Sequence, residues 1–415
     1  MNEHFTGTPP TSRTDPQFVA GLLSATLTAR KIPAIVALAW DGPQLAVYTV
    51  SLGLGALPEQ VEALAGELAL AAGAESCRVA RAAGHLLLEL AKPAGDRRPL
   101  RATRLDHLTA PTPTAVPLGI TTNGRVLWLD LADERFCHVA IGGTTGSGKS
   151  VLLRWLLYRL VVQNAPDALR LLLVDPKRFE LGAFACLPHL LHPVVTHPLD
   201  IARVLAWLTG ELDRRADNGR TSPRVVAVIE EVADVVSQNK AVLPALARVA
   251  QVGRALGMHV IVTTQQPGAK SLGDSLVNFP ARILGRVASS TLTYGAAGRG
   301  KSGADVLLGK GDMLLLAAGE TIRFQAPLPD GRQWGRLPYA AQVASLEAEL
   351  PTSVAAADFN RDPRGGYGRR DLSAADYAAI QAALDEGADE DDLRGRFGIG
   401  WSRATRLVAQ YRGEA

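Results

Sequence analysis

The chain has 415 residues, of which 47% are hydrophobic and 20% charged, and its net charge is +3. At roughly 150 residues per domain this predicts two to four globular domains with a sizeable core. The mild basic excess neither requires nor excludes a nucleic-acid partner, because a local basic groove can sit inside a near-neutral total. Three cysteines, Cys77, Cys137 and Cys186, are too far apart for a zinc or disulfide framework and fit a reducing cytoplasm. No signal peptide is expected, and no run of about 18 apolar residues predicts a membrane span.

Residues 1–16, polar and rich in Pro and Thr, are expected to be disordered. Residues 17–117 then read as a small α/β domain and a connector. Leu22–Ala29 is helix-like. Ala34–Ser51 reads as two strands around Asp41-Gly42-Pro43. Leu57–Ala72 reads as one helix, with Pro58 in its first turn and Gly73 just past its end. Cys77–Leu90 predicts a hairpin turning at Ala83-Gly84. Residues 93–117, rich in Pro, Thr and Arg, read as the connector.

From 118 to 350 strands and helices alternate, which predicts a mostly parallel sheet covered by helices. The expected strands are Val126–Asp130, Phe136–Ile141, Leu171–Val174, Val225–Ile229, His259–Thr263, Ala281–Gly285 and Asp312–Leu316. Between the second of these and the long helix Val151–Val162 lies Gly143-Thr144-Thr145-Gly146-Ser147-Gly148-Lys149-Ser150, an ungapped phosphate-binding loop. Its glycines let backbone N–H groups wrap phosphates, Lys149 reaches the β- and γ-phosphates, and the Ser150 hydroxyl can ligate Mg²⁺. The helix that follows offers its N-terminus to the anion. ATP and Mg²⁺ are therefore the expected cofactors.

A second match to the same pattern, Gly295 to Ser302, lacks a firm strand before it and a long helix after it. It reads as a basic surface loop. The apolar strand Val225–Ile229 ends in Glu230-Glu231, at the edge where such sheets hold ligands. Glu230 is assigned to the magnesium shell and Glu231 to orienting or deprotonating the attacking water. Thr264-Gln265-Gln266-Pro267 follows another central strand, and Gln265 can sense the γ-phosphate or position water, although a turn residue is the ordinary reading.

Residues 351–371 form a linker containing Arg361, Arg364, Arg369 and Arg370. Residues 372–415 read as helix, short helix, Gly398-Ile399-Gly400 turn and a third helix from Trp401, a helix-turn-helix pattern. Ser402, Arg403 and Arg406 lie near the start of that third helix, and Arg can bind guanine bidentately there. A helical protein-interaction module is the competing reading.

Six ordered segments carry a family likeness. They are Ile141–Ser150, Val174-Asp175-Pro176-Lys177, Val228-Ile229-Glu230-Glu231-Val232-Ala233-Asp234, Arg254-Ala255-Leu256-Gly257-Met258-His259, Thr264-Gln265-Gln266-Pro267 and Leu307–Leu314. Through them the chain resembles the FtsK/SpoIIIE family of DNA translocases. The resemblance implies a RecA-like P-loop ATPase motor that assembles as a homo-hexameric ring around double-stranded DNA, with ATP between subunits. It implies that Arg254 is the arginine finger reaching a neighbour's site and that Gln265 is the sensor. It also implies that residues 372–415 are a winged-helix module orienting on DNA. The family's usual acidic pair is Asp-Glu, where this chain has Glu230-Glu231, and residues 289–303 depart from the family pattern. A soluble relative without the membrane domain is expected. The alternatives are a protein-export ATPase of the type VII secretion kind and a nucleotide-gated DNA-binding regulator with weak hydrolysis.

Overall fold

The structure, a computed structural model, describes residues 15–82, 84–239, 242–265, 278–288, 302–351, 374–385, 388–389, 392–393 and 408. Helix α1 (Pro16–Ala29) opens it, with Asp15 capping the amide of Gln17. The helix thus begins at Pro16, the last residue of the stretch expected to be disordered, with Asp15-Pro16 as a strong helix-start signal, and residues 1–14 of that stretch lie outside the described residues. Strands β1 (Ala34–Asp41), β2 (Leu45–Leu52), β3 (Cys77–Ala82) and β4 (His85–Ala91) form an antiparallel sheet in the order β1-β2-β4-β3. Between β2 and β3 the chain makes two helices, α2 (Pro58–Ala63) and α3 (Ala65–Ala72), where one was expected. The break at Leu64 lets Val61 and Leu68 both face the sheet, fully buried. Gly73 ends α3 with a left-handed cap, φ 66°.

The larger unit is a nine-stranded sheet. Its strands are β5 (Ala115–Thr121), β6 (Val126–Asp130), β7 (His138–Gly142), β8 (Leu169–Val174), β9 (Arg224–Ile229), β10 (Met258–Thr264), β11 (Ala281–Leu284), β12 (Asp312–Ala317) and β13 (Glu320–Gln325). Their order is β6-β5-β13-β12-β11-β7-β10-β9-β8. Strands β11, β7, β10, β9 and β8 are parallel, whereas the β6-β5-β13-β12-β11 side is antiparallel. The sheet is thus half parallel, not mostly so. The difference lies in β5 and β13, two strands the sequence did not announce.

After the short α4 (Thr103–Asp106), helix α5 (Lys149–Gln163) and helix α6 (Pro198–Asn218) pack on this sheet, and their apolar residues fall in its two large core clusters. The shorter α7 (Val232–Gln238) and α8 (Val242–Val252) follow β9. In α5 Trp155 donates to the Pro117 carbonyl at 2.7 Å, and buried Arg159 donates to the carbonyls of Leu105, Asp106 and Leu108. The segment read as a connector is accordingly folded. Leu100, Ala102 and Leu105 sit in the core of the larger unit, and β5 begins at Ala115.

A buried ionic cluster joins the two units. Arg323 of β13 binds Asp312 of β12 at 2.6 and 2.9 Å and Glu89 of β4 at 2.9 Å. Glu89 also takes Arg78 of β3 at 2.9 Å. Burial opposes the charge on Glu89, but Arg78 and Arg323 outweigh it and hold its pKa below the ordinary carboxylate value. Toward the C-terminus, helix Ala374–Asp385 supplies Ile380, Ala383 and Leu384 to a small apolar cluster with Leu393 and Val408. No helix among the described residues is long and apolar enough to cross a membrane.

Candidate active site

Gly143 to Ser150 run from the end of β7 into α5, so the loop sits at the carboxyl edge of the parallel half-sheet. Gly143, Gly146 and Gly148 hold φ of 147°, 77° and 104°, a region where a side chain is strained. At Gly148 an added Cβ would also lie 2.6 Å from the Gly311 nitrogen. The loop is clamped from two sides. Thr144 donates from its amide and its hydroxyl to the Arg286 carbonyl, at 2.8 and 3.0 Å. On the other side the amides of Lys310 and Gly311 donate to the carbonyls of Gly146 and Ser147.

Lys149 is buried and its ammonium donates to the carbonyls of Gly143 and Thr144, at 2.5 and 3.3 Å. Burial pushes its pKa down, against the pull of Glu231, Glu230 and Glu180. Ser147 is buried, and its hydroxyl has no partner among the described residues.

The two acids stand beside this loop because β9 and β7 both flank β10 in parallel register. Thr263 links them: its hydroxyl donates to Glu230 Oε1 at 3.3 Å and accepts from the Glu231 amide at 3.0 Å. Glu230 Oε2 is buried without a hydrogen bond among the described residues. Burial, then Glu231, Asp175 and Glu180, push the Glu230 carboxyl up to about 7, against Lys177. Glu231 accepts from the Thr264 hydroxyl and twice from the Gln265 amide, at 3.0 and 3.2 Å. Its own backbone is left-handed, φ 46°. Gln265 in turn accepts from the Thr145 hydroxyl at 3.3 Å, so the predicted sensor touches the phosphate loop.

Three contributors were given no role by sequence reasoning. Thr263 looked like one more strand residue. Asp175 accepts from the amides of Lys177, Arg178, Glu180 and Leu181 and folds the loop after β8. That loop brings Lys177 within 2.9 Å of Asp234 and 4.0 Å of Glu231. An Asp just past an apolar strand and before Pro is the signal that could have marked it.

Arg254 is elsewhere. It lies in the short helical turn Gly253–Leu256 before β10, whereas Gln265 follows the same strand. Seven strand residues at about 3.3 Å each put it roughly 20 Å away, at the opposite edge of the sheet. There it forms an exposed pair with Glu134 at 3.2 Å. Ser402, Arg403 and Arg406 lie outside the described residues, as does most of the second glycine-rich match. Its last residue, Ser302, is buried, and its carbonyl lies 3.5 Å from Arg78.

Residues 101–220 match the FtsK/SpoIIIE family. The chain is 29% identical over 94% of its length to DNA translocase FtsK of Chlamydia trachomatis, covering 53% of that protein. It is 31% identical over 88% of its length to DNA translocase FtsK of Lactiplantibacillus plantarum, covering 50%. It thus spans about half the length of these curated relatives. Among solved structures, the pCW3 conjugation coupling protein TcpA, in monomer form with ATPgS, superposes at TM-score 0.50 and 21% identity. The match covers 77% of this chain and 96% of that one, a likeness of fold.

Proposed function

We propose that this chain, which matches the FtsK/SpoIIIE family over residues 101–220, is an ATP-hydrolysing motor that moves double-stranded DNA, working as a homo-hexameric ring with nucleotide between subunits. The observation that carries the proposal is the convergence of the phosphate loop, Glu230, Glu231 and Gln265 at one sheet edge, with Arg254 at the other. Within one subunit Arg254 is too far to serve its own loop. Packed against a neighbour, the same edge can present its guanidinium to the neighbour's phosphates, where a fixed positive charge stabilises phosphoryl transfer.

The site suits ATP. The strained glycines form a cradle that side chains would fill, and the unpartnered hydroxyl of Ser147 and carboxylate oxygen of Glu230 are polar atoms left for a ligand. Gly143 to Lys149 would wrap the phosphates, and Lys149 would exchange its loop carbonyls for phosphate oxygens. Ser150 and Glu230 would hold Mg²⁺, which when bound neutralises phosphate charge. Glu231, fixed by Thr264 and Gln265, would orient the attacking water and accept its proton, and Gln265 would report the γ-phosphate through Thr145. The helix-turn-helix residues Ser402, Arg403 and Arg406 are proposed, on sequence grounds, to orient the motor on DNA.

A second reading, a nucleotide-gated DNA-binding regulator with weak hydrolysis, has one observation on its side. A Glu230 carboxyl pushed up to about 7 holds its proton more readily than a metal ligand should. Steady-state turnover decides. Wild type should hydrolyse ATP, and Lys149→Ala should lose at least about 100-fold in kcat with its fold intact. Equal turnover in the two would remove the site assignment, and ATP binding without turnover in wild type would favour the regulator.

A further inference from the structure

Between the small domain and the motor lies an open cleft of about 560 Å³. Trp40 of β1 forms one wall, and Arg98, Arg101 and Arg104 line the other. All three arginines are exposed, and they recur at three-residue spacing. Their scaffold is fixed. Leu100 and Ala102, on either side of Arg101, are each 2% exposed and exchange backbone hydrogen bonds with Leu328. The indole of Trp40 is held as firmly, because the backbones at Gly42 and Gly124 approach it so closely that a Cβ at either would fall 2.1 or 2.9 Å from the ring.

Several other cations of the small domain and connector have carboxylates: Arg30 with Glu67, Arg81 with Glu59 and Glu62, Lys92 with Asp41, Arg97 with Glu75. The side chains of Arg101 and Arg104 have no partner among the described residues, and Arg98 donates only to the Gly95 carbonyl. Asp41, the one carboxylate in the cleft lining, is already taken by Lys92 at 2.6 Å. Three guanidiniums around one cleft without a counter-charge repel one another until an anion arrives.

We propose that this cleft binds the phosphodiester backbone of duplex DNA, through Arg98, Arg101 and Arg104, with deoxyribose against the Trp40 indole. The inference rests on the DNA-motor reading and adds to it a contact from the joint between the two units. Guanidinium forks suit successive backbone phosphates, and contacts to phosphate and sugar position a duplex without reading its sequence. A free nucleotide needs groups that recognise its base, and the polar lining here is guanidinium plus an engaged Asp41.

The test is fluorescence anisotropy of a labelled short duplex with the full chain across a KCl series, without nucleotide. Each phosphate contact contributes about 0.9 to the slope of log affinity against log salt. The double variant Arg101→Ala/Arg104→Ala should flatten that slope by about two and weaken binding roughly 10- to 100-fold near 0.1 M salt. Both side chains are exposed, so the variant should fold as wild type does. An unchanged slope and affinity in a chain whose wild type binds duplex would overturn the cleft contact and leave the motor reading standing. Failure of wild type to bind duplex would overturn both. A parallel ATP titration of Lys149→Ala separates the remaining source of phosphate. ATP binding that survives there and disappears on adding the two arginine changes would make the cleft a nucleotide site and overturn the DNA contact.

Discussion

Glu231 occupies φ 46°, ψ 59°, a conformation that costs a non-glycine residue about 1–3 kcal/mol. The surroundings hold it there: its amide donates to Thr263, and its carboxylate accepts from Thr264 and the Gln265 amide. The carboxylate is thereby held against Thr264 and Gln265, whose side chain in turn meets Thr145 of the phosphate loop. Glu231→Gln should therefore keep ATP affinity within about threefold while kcat falls by about 100-fold or more, the usual size of a general-base contribution. Equal losses in affinity and turnover would make Glu231 a binding residue instead. The placement of the Glu230-Glu231 pair was legible in the sequence, because two acids ending an apolar strand are unusual. The strain was not legible, since it depends on the neighbouring strand's Thr263. A second residue-scale consequence concerns His138 and His259, buried with ring centroids 6.3 Å apart. Burial, with mutual repulsion at His138, lowers their pKa values to about 3 and about 4. The unfolded chain binds protons near 6.5 and the folded chain does not, so stability is full above that value and falls as pH drops toward the folded pKa. Between pH 7 and pH 5 each histidine should remove about 2 kcal/mol of stability. His259→Gln should flatten the dependence of urea midpoint on pH over that interval, and an unaltered slope would contradict the assignment.

Strands β12 and β13 show why one side of the sheet was hidden. Their hairpin turns on Ala318 and Gly319, with φ of 48° and 81°. Such turns usually announce themselves as Asn-Gly or Asp-Gly, and Ala-Gly does not. Strand β13 also carries Arg323, a charge that argues against a central strand until Asp312 and Glu89 are found beside it. Strand β5 was masked by Pro117 and Gly119, where its register with β6 shifts. The strands that were legible, such as β9 and β10, are buried on both faces, and β9 reads as an unbroken apolar run from Val225 to Ile229. The Arg323 cluster has a mechanical consequence. Asp312 also accepts from the Leu308 amide, and the segment that follows abuts the phosphate loop at Gly146 and Ser147. Arg323→Ala would leave buried Asp312 without its counter-charge and Glu89 with Arg78 alone, and should cost about 3–5 kcal/mol in urea unfolding. A loss below about 1 kcal/mol would show that the cluster does not hold the units together.

At the scale of the whole molecule, the account depends on subunits completing one another's sites. Arg254 and Lys149 lie at opposite edges of one sheet, so neither variant alone should turn over ATP, whereas a mixture should. In a mixed ring an Arg254→Ala subunit with an intact phosphate loop can meet a Lys149→Ala subunit with an intact guanidinium. Recovered ATPase on mixing would support a trans-acting Arg254, and no recovery under conditions where the subunits exchange would contradict it. The central claim, however, is that hydrolysis drives movement along duplex DNA. Its most direct measurement is the steady-state ATPase rate of the full chain with long linear duplex, with single strands and with no DNA. The account predicts strong stimulation by long duplex and little by single strands. A measurable basal rate that duplex leaves unchanged would contradict it and shift the weight to a protein-export ATPase.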